Sequence, residues 1–155
     1  MKLAEALIQR AETQKRLHEL RQRLGRNARV QEGDLPAEEP QELLAEIERM
    51  AETLTVLIQR INRTNAAAEF APGKTISDAL AERDILALRQ KVYRELAEEA
   101  VSSGQDRFRW TRSEIKFQST VNVAEIQRQA DLLAKQYREL DTQLQALNWA
   151  IELLA

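Results

Sequence analysis

The most regular pattern in the chain lies in residues 122–155, which read NVAEIQRQADLLAKQYRELDTQLQALNWAIELLA. Apolar side chains recur there at alternating steps of four and three residues: Ile126, Ala130, Leu133, Tyr137, Leu140, Leu144, Leu147, Ile151 and Leu154. A heptad repeat of this length predicts a helix over about 123–154 that packs along a partner helix. Asn122 and Glu125 form a capping-box-like pair at its start.

Three further helices are predicted upstream, over about 2–27, 40–67 and 77–101. The first has leucines along one side and ends at Gly25 and Asn27. The second carries a heptad seam formed by Leu44, Ile47, Ala51, Leu54, Ile58, Ile61 and Asn65. For the third we expect an inner face formed by Leu80, Asp84 or Ile85, Leu88, Val92 and Leu96.

Alternating side chains near 114–121 predict an extended stretch, and the expected pairing partner is the stretch near 28–31. The predicted fold is therefore mostly α: an elongated antiparallel bundle or coiled coil of four long helices with a small extended or β-hairpin-like element. We expect one helical domain over residues 1–155.

Composition supports this fold class and excludes several functions. More than half of the 155 residues are Ala, Leu, Glu, Lys or Arg, which is typical of long helices. The chain has no cysteine and one histidine, so we expect no metal site and no cofactor. The longest apolar run is only Ile85–Leu88, and the first residues carry charge. We therefore expect a soluble cytoplasmic protein with no membrane span.

Charge is distributed in opposed blocks. Residues 1–30 carry eight Lys or Arg and three Glu, whereas residues 31–56 carry eight Asp or Glu and one Arg. The pattern favours a first helix that lies beside the acidic start of the second. The alternative is that the basic segment binds nucleic acid.

No catalytic motif is complete. Residues 72–75 imitate the end of a phosphate-binding loop, but Ala68 stands where that motif needs a glycine. His18 and Glu19 imitate a zinc-protease motif, but Gln22 replaces the second ligand. We therefore predict no catalytic residues and no enzymatic activity.

Two segments are candidates for function. Basic and aromatic residues interleave in the segment 107–117, as in sites that contact phosphates and stack on bases. Its candidate nucleic-acid or partner contacts are Arg107, Arg109, Trp110, Arg112 and Lys116. The alternative is that the aromatic residues cap the end of the bundle. Asn62 and Asn65 form a structural polar seam in the second helix.

The C-terminal turns are apolar on two sides. The candidate oligomer interface there comprises Trp149, Ile151, Leu153 and Leu154. The alternative is that this end packs under loops of its own chain. Because a long bundle has a thin core, we expect a homo-oligomer, a dimer or higher.

Several motifs together resemble a known family: MKLAEAL at 1–7, INRTN at 61–65, DALAERD at 78–84, RSEIKF at 112–117, YRELD at 137–141 and LNW at 147–149. The chain resembles the small bacterial helical family often labelled septicolysin. The resemblance covers essentially the whole chain and implies a cytosolic bacterial protein without an assigned activity. The label itself implies a pore-forming toxin.

The residues favour a non-enzymatic, self-associating helical protein that acts as a scaffold or adaptor. One alternative is binding of RNA or single-stranded nucleic acid through residues 107–117. Another is a membrane-active protein, as the septicolysin label implies, although the residues offer no spanning segment.

Overall fold

A computed structural model describes residues 1–101 and 117–155. This part of the chain contains four helices: α1 (Leu3–Arg26), α2 (Pro40–Ala67), α3 (Ile76–Val101) and α4 (Val123–Ala150). Two short antiparallel strands lie between α2 and α3: β1 (Glu69–Ala71) and β2 (Lys74–Thr75). The predicted fold class, mostly α-helical with a small β-hairpin-like element, is confirmed.

The hairpin lies elsewhere than expected. Gly73 connects β1 to β2 with φ of 74°, a left-handed conformation that glycine adopts without strain. Residues 28–31 and the described part of 114–121, from Phe117 onward, contain no strand. The prediction of extended pairing there was wrong for these residues, because alternation of side chains forms a strand only where a partner backbone is available. Residues 114–116 lie outside the described residues.

The chain divides into two compact units. The first comprises Met1–Ile76 and Gln145–Ala155, and α1 packs against α2 within it. Its fully buried large side chains are Leu3, Leu20, Ile61, Thr64 and Ile76. The prediction of a single domain over 1–155 stays a prediction.

Backbone hydrogen bonds join the two ends of the chain in the first unit. The Leu3 N–H donates to the Ile151 carbonyl at 2.9 Å, and the Leu153 N–H donates to the Met1 carbonyl at 2.8 Å. We call residues 1–3 and 151–154 the terminal clasp. Helix α4 consequently ends at Ala150, four residues before its predicted end.

The second unit comprises Ser77–Leu144 and contains most of α3 and α4. Ala130, Leu133 and Leu144 of the predicted α4 seam are buried. At the start of α4, the Glu125 N–H donates to Asn122 Oδ1 at 3.2 Å, so the predicted Asn122 cap is confirmed.

Helix α3 buries a different face from the one expected. Its inner residues recur at alternating steps of three and four and are each buried or half-buried: Ile76, Ala79, Arg83, Leu86, Gln90, Tyr93, Ala97 and Ala100. Of the residues expected inside, Leu80 is half-buried and the others are exposed: Asp84, Ile85, Leu88, Val92 and Leu96. The prediction was wrong because the Arg83 side chain pairs with Asp141 of α4, which turns this mixed face inward.

Candidate functional site

An apolar stripe lies exposed along α3. It is formed by Ile85, Leu88, Val92 and Leu96, which we call the α3 stripe, and their exposed fractions are 54%, 55%, 53% and 41%. The stripe extends about 16 Å along the helix axis. Apolar side chains that cluster at the surface, rather than lying singly, mark interaction sites. The α3 stripe is therefore the candidate functional site.

The spacing of the stripe is that of a coiled-coil contact surface. Ile85 and Val92 occupy the a positions of a heptad repeat. Ala81 and Leu88 occupy the d positions. β-Branched residues at a combined with leucine at d favour two-stranded association. The exposed face of α3 thus has the pattern that a second helix would pack against.

Charged residues border the stripe on both sides. Glu82 and Arg89 lie along one edge, whereas Asp84 and Lys91 lie along the other, and all four are exposed. Asp84 accepts a hydrogen bond from Arg83 Nη2 at 3.2 Å. Lys91 Nζ lies 3.8 Å from a Glu95 oxygen one turn later. Such exposed pairs contribute little stability, so these charges can change partners when another helix approaches.

Arg83 fixes which face of α3 points outward. Its Nη1 donates to Asp141 Oδ1 at 3.0 Å, within the second unit. Partial burial lowers the pKa of the Arg83 guanidinium, but hydrogen bonds to Asp141 and Asp84 outweigh this effect and raise it. The side chain therefore stays charged and ties α3 to α4, which leaves the α3 stripe at the surface.

The residues of the predicted C-terminal interface divide between surface and core. Trp149 is 55% exposed and Leu154 is 46% exposed, whereas Leu153 is buried and Ile151 is half-buried. Leu153 is off the main helical stripe, but the chain leaves the helix at Ala150 and carries it into the first unit. Only Trp149 and Leu154 of the four present substantial apolar surface.

Thr64 is the buried polar residue of α2. Its hydroxyl donates to the Arg60 carbonyl at 2.8 Å and accepts from the Leu154 N–H at 3.0 Å. Asn62, predicted as part of a polar seam, is exposed, and Asn65 is half-buried. Thr64 was missed, although it continues the spacing of the buried residues Leu57 and Ile61 and could have been found by that signal.

The basic–aromatic candidates, Arg107, Arg109, Trp110, Arg112 and Lys116, lie outside the described residues. Phe117 at the end of that segment is 68% exposed. Nucleic-acid or partner contact through this segment stays a prediction.

Helix α1 and the acidic start of α2 are joined by ion pairs, as the charge blocks predicted. Arg16 Nη2 donates to Glu46 Oε1 at 2.8 Å. Arg23 donates to both carboxylate oxygens of Glu38, and its Nε lies 3.0 Å from Glu38 Oε2. This bidentate contact lowers the pKa of Glu38 and raises the pKa of Arg23. The basic residues of α1 thus hold the loop that precedes α2.

We expect the protein to lose stability in mild acid. The pKa of Glu38 is lowered by Arg23, and the pKa of Glu152 is lowered by Lys2, both from an ordinary value of 4.5. A carboxyl whose pKa is lower in the folded state stabilises it fully above the unfolded value. That contribution disappears as the pH falls through the folded-state pKa. The melting temperature should therefore fall as the pH drops below about 4.5.

The matched control is the double variant Glu38→Gln and Glu152→Gln. It should melt at a lower temperature than the wild type at neutral pH and show a flatter decline in acid. Differential scanning calorimetry across the pH series measures both quantities. A double variant that declines as steeply as the wild type would assign the acid sensitivity to other carboxyls.

Two classes of site receive no support from the part of the chain that is described. Among residues 1–101 and 117–155, no three His, Cys, Asp or Glu side chains are grouped so that they could hold a metal ion. Within the same ranges, no helix combines the length and the apolar character needed to cross a membrane.

The fold and the site define a mostly α-helical protein with an exposed apolar helix face. Residues 10–153 match a family described as "Family of unknown function (DUF6847)", and the chain belongs to this family. It is also similar to a solved structure titled "Crystal structure of a functionally unknown conserved protein from Corynebacterium diphtheriae". The two chains are 49% identical with a TM-score of 0.91, and the match covers 99% of each. No curated protein matches the chain.

Neither of these matches carries the septicolysin label. The resemblance to that family and the pore-forming activity that its label implies stay predictions. What the matches do give is a family and a closely similar fold, and neither description includes an activity.

Proposed function

We propose that this protein is a non-enzymatic scaffold or adaptor that works by self-association through its helices. The α3 stripe carries the proposal, because its side chains are more apolar than the face of α3 that the chain buries. A helix normally buries its more apolar face. An exception that exposes Ile85, Leu88 and Val92 is best explained by a surface that is covered in an assembly. The cytoplasmic location predicted from the sequence is part of this proposal.

Light-scattering mass measured across a concentration series tests the proposal. The wild-type protein should reach a multiple of 17.8 kDa. The Leu88→Lys variant should remain near the monomer mass, because a charged side chain in an apolar contact loses its hydration without gaining a partner. A wild-type protein that stays monomeric at every concentration would refute self-association.

Two control variants locate the interface. Val56→Lys changes an apolar residue of α2 that is as exposed as Leu88, at 54%, and should leave the mass unchanged. Trp149→Ser removes the exposed aromatic residue of the predicted C-terminal interface. If Trp149→Ser alone lowers the mass, self-association stands and the interface moves to the C-terminal turns.

A further inference from the structure

Resting on this proposed function, we infer that the α3 stripe is covered by α3 of a second copy, packed antiparallel in a single register. The contact would be isologous, with the same residues contributed by both copies. Three features of the helix support this inference: the apolar layers that match, the charges that alternate in sign, and the repulsion in neighbouring registers.

The apolar residues match when the two helices run in opposite directions. In antiparallel coiled coils, a positions of one helix pack in layers with d positions of the other. Ile85 then lies opposite Leu88 of the second copy. Val92 lies opposite Ala81 of the second copy, so that a small side chain meets a larger one. Symmetry repeats both layers, which gives four consecutive apolar layers.

The charges along both edges are complementary in this same register. Antiparallel pairing brings e positions beside e positions and g positions beside g positions. Glu82 then lies beside Arg89 of the second copy. Asp84 lies beside Lys91 of the second copy. Each pair occurs twice by symmetry, so all four edge contacts join opposite charges.

Neighbouring registers are disfavoured by like charges. A shift of one heptad in one direction places Lys91 beside Lys91 and Arg89 beside Arg89 of the second copy. A shift in the other direction places Asp84 beside Asp84 and Glu82 beside Glu82. Charge repulsion of this kind selects one pairing by penalising the others. The four charges therefore act together as the determinants of register.

A parallel arrangement is less well matched. It pairs each g position with the e position five residues later on the second copy, so Asp84 would lie beside Arg89. Lys91 would then lie beside the uncharged Leu96. The parallel dimer gains two opposite-charge contacts, whereas the antiparallel dimer gains four.

Disulfide cross-linking of the full chain tests the orientation. The sequence has no cysteine, so single-cysteine variants give an unambiguous product. A mixture of Ala81→Cys and Val92→Cys chains should form a mixed disulfide dimer on mild oxidation. Val92→Cys alone should not, because the antiparallel register separates the two copies of position 92 by about 16 Å along the axis. Disulfides require Cα atoms within about 7 Å.

Charge reversal tests the register. Asp84→Lys places Lys beside Lys91 and should raise the dimer dissociation constant about tenfold. Lys91→Asp should have a similar effect. Combining the two changes restores opposite charges and should return the dissociation constant to within about threefold of the wild type. Circular dichroism of each variant at low concentration checks that the monomer remains folded.

Each outcome has a defined meaning. Mixed cross-linking and rescue by the double reversal support the inference. Efficient cross-linking of Val92→Cys with itself indicates a parallel dimer, which overturns the inference and leaves self-association intact. A wild-type protein that is always monomeric overturns both proposals. A monomer whose melting temperature falls on Leu88→Glu substitution would mean that the chain itself covers the stripe, which also overturns both.

Discussion

Replacing Leu3 by alanine is expected to lower the free energy of unfolding by about 2–5 kcal/mol, the range for large-to-small changes in a core. Leu3 is completely buried, and its backbone N–H donates to the Ile151 carbonyl. The substitution leaves a cavity beneath the terminal clasp. Urea denaturation followed by circular dichroism measures the change.

Ile8→Ala is the matched control for this prediction. Ile8 lies on the same helix and loses a comparable amount of side chain, but it is 48% exposed. Its replacement should cost less than about 1 kcal/mol, because half of the side chain is already in water. Equal destabilisation by the two variants would contradict the assignment of Leu3 to the core and of Ile8 to the surface.

The sequence predicted the helices with strict apolar repeats well. In α4 the residues of the repeat include the buried Ala130, Leu133 and Leu144. Their spacing is informative because a helix that buries one face must repeat apolar residues every three or four positions. The charge blocks were equally informative, since adjacent basic and acidic segments on consecutive helices close as a pair, as Arg16 and Glu46 do.

The orientation of α3 could not be predicted in the same way. Its two faces both have helical spacing, and the more apolar one was chosen. The buried face contains Arg83, whose cost of burial is offset by the Asp141 carboxylate on another helix. Alanines on that face also permit close approach of a neighbouring backbone. Neither a partner on a distant segment nor a close approach can be read from the periodicity of α3 itself.

The end of α4 exposes a second limit. The repeat continues through Ile151 to Leu154, so the periodicity predicts a helix to the end. Two backbone hydrogen bonds to residues 1–3 replace the last helical turn. These bonds join positions about 150 residues apart, and a local pattern contains no information on such pairing.

The same features limit what can be predicted about function. A helical fold of this kind supports many unrelated roles, so the functional argument has to come from a particular surface. The α3 stripe became visible only when the opposite face of α3 was found to be buried. A prediction that errs on which face is inside therefore hides the surface through which the protein would associate.

Thr64→Val is the second substitution with a large expected effect. Valine has nearly the shape of threonine and a similar helix propensity, so the change removes the hydroxyl with little disturbance of packing. The Leu154 N–H then loses its acceptor in a partly buried position. We expect the free energy of unfolding to fall by about 1–3 kcal/mol, the cost of leaving such a group unpaired. Hydrogen exchange of the Leu154 amide should accelerate more than exchange elsewhere in the terminal clasp.

Thr64→Ser separates the hydroxyl from the methyl group. Serine keeps both hydrogen bonds and loses one methyl group, which costs about 0.8 kcal/mol if the site is fully buried. Thr64 is completely buried, so this smaller loss is also expected. Slow exchange of the Leu154 amide in Thr64→Ser, together with fast exchange in Thr64→Val, would assign the anchoring of the C-terminal segment to the hydroxyl. Equal exchange in the two variants would assign it to the packing of Leu153, since that side chain is buried in the same unit.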